Sequence, residues 1–89
     1  SLLHRKLGQG LEAAEQAVGL SRAMQAPVIE AEALLTLGNM QVRLGLLEEA
    51  NRNLSDATAL AHAHGLNSVR RMCHGLRAWV SLDSSRAAI

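Results

Sequence analysis

Aromatic residues are almost missing from this sequence: among 89 residues there is no Phe, no Tyr and a single Trp79. That scarcity excludes a base-stacking platform for single-stranded nucleic acid and removes residues that β-strands favour. One cysteine, Cys73, cannot build a disulfide framework or a cysteine zinc site. Net charge is nearly absent as well, with 9 Lys and Arg against 8 Asp and Glu, so no overall field draws the chain to nucleic acid or to a membrane surface. Uninterrupted apolar runs such as Ala33-Leu34-Leu35 fall far short of the roughly 18 to 20 residues that span a membrane. No basic and apolar leader pattern opens the chain, and a lone cysteine suits a reducing compartment, so a soluble cytoplasmic protein is expected. The sequence starts at Ser1-Leu2-Leu3 and ends at Ala87-Ala88-Ile89, which suggests a piece of something longer.

What is abundant is alanine and leucine, 15 and 16 residues, a bias that favours helices. An all-α fold follows. Gly8 and Gly10, Pro27, Gly45 and Gly65 punctuate the chain, and the glycines stand where helix C-caps need a positive φ. Five helices are predicted: 1–7, 11–25, 28–44, 47–64 and 67–82, with 83–89 as a tail. Glu12 and Glu15, Glu30 and Glu32, and Glu48 and Glu49 fall near the starts of three of them, the favourable end of the helix dipole. Asn67-Ser68 supplies cap groups for the last. Connections of two to four residues make neighbouring helices antiparallel.

Apolar spacing supports three of these segments. Ile29, Ala33, Leu37, Met40 and Leu44 recur at helical intervals, as do Leu47, Ala50, Leu54, Ala57 and Ala61, and Val69, Met72, Leu76, Trp79 and Val80. Trp79 suits equally a plug at the end of the core or a binding anchor. Gly19, in mid-helix, implies close helix approach. The chain also resembles itself. Leu11-Glu12-Ala13-Ala14 matches Leu47-Glu48-Glu49-Ala50 at an offset of 36, and Ala33, Leu37 and Met40 match Met72, Leu76 and Trp79 at an offset of 39, so the repeating unit is a helix pair.

The stretch from Ala31 to His64 resembles a tetratricopeptide repeat on Leu34, Leu37-Gly38, Gly45, Leu47, Ala50, Leu54 and Ala57. Small residues Gly38, Ala50 and Ala57 let two helices approach while leucines fill the gaps. Residues 1–26 resemble a partial repeat, 28–64 a complete one and 67–82 the first helix of a third. The 36 to 39 residue period is similar to the longer repeats of large bacterial transcription regulators and of eukaryotic scaffold proteins. Gln41 stands where that family usually has an aromatic, and no proline closes the unit at 62–64.

The resemblance implies a right-handed α-solenoid that binds a peptide or helix in a concave groove lined by the first helix of each pair. On 28–44 the face opposite the core stripe carries Glu32, Leu35, Thr36, Asn39, Val42 and Arg43. An Asn there can bond both the donor and the acceptor of an extended backbone. The offset of 39 carries this surface onto Arg71, His74, Ala78 and Ser81, with Arg70 and Arg77 nearby, a basic patch suited to an acidic segment. The subgroup that clamps C-terminal carboxylates has Lys where Leu35 stands, so this is a different subtype.

Metal and catalytic chemistry are poorly supplied. His62 and His64 lie two apart, about 200° around a helix, where chelation wants spacings of three or four; Cys73-His74 has the same fault. Cys73 as a nucleophile needs a base and an electropositive niche, for which Arg70, Arg77 and His74 are at hand, but it reads better as a small core residue. Gly8-Gln9-Gly10 lacks the strand and third glycine of a phosphate loop. No cofactor, metal or catalytic group is expected. An unsealed array also leaves apolar ends, and Leu2, Leu3, Val80, Leu82 and Ile89 are the candidates for self-association. A further alternative is a regulatory segment of a transcription regulator whose DNA contacts come from another region.

Overall fold

The computed structural model describes the backbone of residues 2–87 and the side chains of residues 2–82. Four helices account for it: α1 (Leu2–Ala23), α2 (Pro27–Arg43), α3 (Leu47–His64) and α4 (Asn67–Ala87). The expected break between 1–7 and 11–25 does not occur. Leu7, Leu11, Ala14, Val18 and Ser21 continue one helical stripe across Gly8 and Gly10, and burying that stripe outweighs a propensity cost of about 1 kcal/mol per glycine. Gly10 has a packing reason as well, since a Cβ there would lie 3.0 Å from Met40 Cε. Glu12 and Glu15 therefore sit in mid-helix rather than at a dipole end, whereas Glu30, Glu48 and Glu49 do occupy first turns. The last helix continues through part of the expected tail, and Asn67 and Ser68 are its first two residues rather than a cap ahead of it.

The three turns are copies of one another. Gln25, Gly45 and Gly65, each twenty residues after the last, take left-handed φ values of 54°, 77° and 67°. In each, the next backbone N–H reaches back five residues to a carbonyl: Ala26 to Ser21, Leu46 to Gln41 and Leu66 to Ala61, all at 2.9 Å. This is the Schellman closure, which satisfies the last carbonyls of one helix and turns the chain into the next. Helix plus turn thus repeats every twenty residues, and the helix pair every forty, one residue more than the offset of 39.

Packing follows chain order. α1 packs on α2, α2 on α3 and α3 on α4, α2 also meets α4, and among the described residues α1 and α4 do not pack together. The core runs along α2 and α3 through Leu34, Leu37, Ala50, Leu54 and Ala57, with Ala14 and Val18 from α1 and Cys73 and Val80 from α4. Small residues set the α2–α3 separation, because a Cβ on Gly38 would lie 2.6 Å from Leu54 Cδ2. The buried Gln41 is held by Asn53, whose Nδ2 donates to Gln41 Oε1 at 2.7 Å. A Cβ on Gly19 would meet nothing within 4 Å, so the expected close approach there is absent. Ile29, assigned to the core stripe, is 54% exposed, because it lies well over 90° around α2 from the buried face that carries Leu34, Gly38 and Gln41.

Candidate functional site

A cavity of about 660 Å³ opens where α2 and α4 diverge, closed on one side by the start of α1. Leu35, Thr36, Asn39 and Arg43 enter it from α2, all four from the face expected to bind. They share a face because they recur at helical spacing on a helix whose opposite side is held by the core. Leu7, Met40, Met72 and Leu76 supply an apolar floor and walls, and Gly75 leaves the α4 side open, with nothing within 4 Å of where a Cβ would stand. The site is an apolar groove with one amide and one guanidinium at its edge.

The remaining expected residues lie elsewhere. Val42 is buried in the core rather than lining a surface. Glu32 is exposed and does not line the groove. Arg71, His74 and Arg77 form a second cleft of about 310 Å³ with Arg70 and with Thr58 of α3. The two parts of the expected site are separate because the turns repeat at forty rather than thirty-nine. A one-residue slip rotates a helix face by about 100°, which moves Arg71 and His74 from the groove to the α3 side. At forty, Leu35 and Thr36 correspond to Gly75 and Leu76, which do line the groove. Met40, Met72 and Leu76 escaped the sequence reading because their apolar spacing assigned them to the core.

Trp79 is 58% exposed, so it does not plug the core. Cys73 is fully buried, and burial pushes its thiol above the ordinary value, while the hydroxyl of Thr58 and the charge of Arg77 oppose the shift. A buried neutral thiol is a packing group rather than a nucleophile. Among the described residues no group of three or more His, Cys, Asp or Glu is placed to hold a metal ion. Among them, too, no helix is long and apolar enough to cross a membrane. The fold defines a class, an all-α arrangement of sequentially packed antiparallel helices. Compared with family models, curated proteins and solved structures, the chain matches none.

Proposed function

We propose that this chain is a non-catalytic protein–protein interaction module, a slice of a tetratricopeptide-like right-handed stack, that associates through apolar faces left open on its outer helices. One observation carries the reading: Leu2, Leu3 and Leu20 on α1 and Leu82 on α4 are each about two-thirds exposed. Burying a large aliphatic side chain contributes about 1.5–3 kcal/mol, so these side chains would gain from being covered by a partner. Of the residues expected at such ends, one does not serve and one is not described. Val80 is buried in the core, and Ile89 lies outside the described residues. The forty-residue repeat of the turns and the chain-order packing support the stacked reading. Sedimentation over a concentration series tests it, and a monomer throughout would count against it.

The groove supports a second reading, capture of a partner's peptide or helix. Its apolar walls suit aliphatic side chains, and Asn39 and Arg43 suit a backbone or a carboxylate at the edge. Binding of a candidate partner that survives Asn39→Ala together with Met72→Glu would remove it. A regulatory segment of a transcription regulator fits the same architecture. The near-zero net charge then places DNA contact in another region, and steeply salt-dependent DNA binding by this chain would refute that.

A further inference from the structure

Arg70, Arg71, His74 and Arg77 converge with Thr58 on the cleft of about 310 Å³ between α3 and α4, and among the described residues no carboxylate lines it. Elsewhere the chain pairs its charge, with Arg22 set against Glu30 and Asp56. Among the described residues no ion pair joins Arg70, Arg71 or Arg77. Three guanidiniums within eight residues of one helix repel one another, and an anionic partner removes that cost.

The fold gives that partner a shape. By the spacing of the turns, α4 is the counterpart of α2 forty residues on. α2 turns Leu34, Leu37, Gly38 and Gln41 toward α3, as the contact of Gly38 with Leu54 and the hydrogen bond from Asn53 to Gln41 show. The α4 residues at those places are His74, Arg77, Ala78 and Ser81, of which only Arg77 is half-buried and the others are exposed. Thr58 likewise stands where α1 has Val18. The basic cleft therefore corresponds to the seat that α3 fills on α2, beside α1. Such a seat takes a helix, and Ala78, nearly as small as Gly38, lets it come close at one point.

We propose that this cleft docks a helix of a partner protein whose inward face carries Asp or Glu around an aliphatic side chain, the carboxylates meeting Arg70, Arg71 and Arg77 and the aliphatic side chain meeting Ala78. Guanidinium forks match carboxylates in charge and in bidentate geometry. A second copy of the chain offers no such helix, because its exposed carboxylates share their helix faces with Arg. On α1, Glu12 and Glu15 lie on one side with Arg5 and Arg22, and on α3, Glu49 and Asp56 lie on one side with Arg52. The cleft is separate from the apolar outer faces and from the groove, so its occupancy does not depend on the association reading above.

Fluorescence anisotropy of a labelled amphipathic peptide of 18 residues, the length of α3, tests this on the whole chain. The peptide carries a leucine stripe flanked by glutamates, and its control has glutamine for every glutamate. The acidic peptide is expected to bind at low ionic strength with a Kd below about 100 µM and to weaken as salt rises. The glutamine peptide, Arg70→Glu and Arg77→Glu each weaken binding by at least about tenfold, whereas Arg5→Glu on α1, an equal change in net charge, leaves it within about twofold. Circular dichroism checks the folding of each variant, and the exposed Arg70 carries the test should Arg77→Glu not fold. No binding up to about 500 µM overturns the proposal, as does equal binding of the glutamine peptide or equal loss in Arg5→Glu. Inorganic phosphate bound through Arg70 in place of the peptide would make the cleft a small-anion site, and a wild-type dimer lost in Arg70→Glu would seat a second copy there. Either result overturns the proposal, and failure of the peptide leaves association through the apolar faces standing.

Discussion

Gly38 and Leu54 are in contact across the α2–α3 interface so closely that a Cβ on the glycine would stand 2.6 Å from Leu54 Cδ2 and 2.7 Å from its Cγ. Leu54 is fully buried, so it has little space into which to retreat. Gly38→Ala would gain about 1 kcal/mol of helix propensity, against an overpacking cost of about 1–3 kcal/mol. The expected outcome is a net loss of stability. Gly19→Ala, where nothing lies within 4 Å, is expected to gain up to about 1 kcal/mol. Urea unfolding of the two variants beside the wild type checks both, and a stabilised Gly38→Ala would show that the helices are not in contact there.

Gln41 and Asn53 form the polar tie between the same helices, with a hydrogen bond of 2.7 Å. Asn53→Ala leaves the buried Gln41 amide oxygen without its partner, which costs about 1–3 kcal/mol. Replacing Gln41 with Leu in that background removes the stranded group and is expected to recover much of the loss. A double-mutant cycle measures the coupling. Independent, additive losses would mean that the pair does not act as a unit.

The three turns differ in the residue at their left-handed position, where Gln25 stands in the first and Gly45 and Gly65 in the others. A side chain there costs about 1–2 kcal/mol. Gly65→Gln is expected to lose about that amount, and Gln25→Gly to be neutral or stabilising by up to about 1 kcal/mol once the greater freedom of the unfolded glycine is counted. Thermal unfolding of both variants is the check.

Cys73 gives the fold a pH dependence with a definite sign. Burial raises its folded-state pKa above the unfolded value, so folding favours the neutral thiol. The contribution is fully present below the unfolded value of about 8.5 and is lost as pH rises through the higher folded value. Stability measured by urea from pH 7 to 11 should decline on the alkaline side in the wild type and decline less in Cys73→Ala. In the native protein at neutral pH, alkylation of Cys73 should be slow and should accelerate with urea. Rapid labelling without denaturant would contradict the burial.

Much of the architecture was legible in the residues themselves. Alanine and leucine at helical spacing made the chain all-α, and Gly45 and Gly65 marked two turns because a left-handed φ is easiest for glycine. Gly38, Ala50 and Ala57 announced the close α2–α3 contact, since a small residue on an apolar stripe needs a neighbour near it. The groove residues Leu35, Asn39 and Arg43 were visible as one face of α2.

Tertiary contacts decided the rest. Glycine is a signal for a turn only where nothing competes with it, and the buried stripe from Leu7 to Ser21 carried α1 straight through Gly8 and Gly10. Pro27 marked the break after Gln25, but with no glycine at its left-handed position that turn did not show itself as a counterpart of Gly45 and Gly65, and the twenty-residue spacing stayed hidden. Periodicity identifies an apolar stripe but not its direction relative to neighbouring helices, and one residue of offset turns that direction by about 100°. That single rotation separates Arg71, His74 and Arg77 from the groove and places Met72 and Leu76 in it.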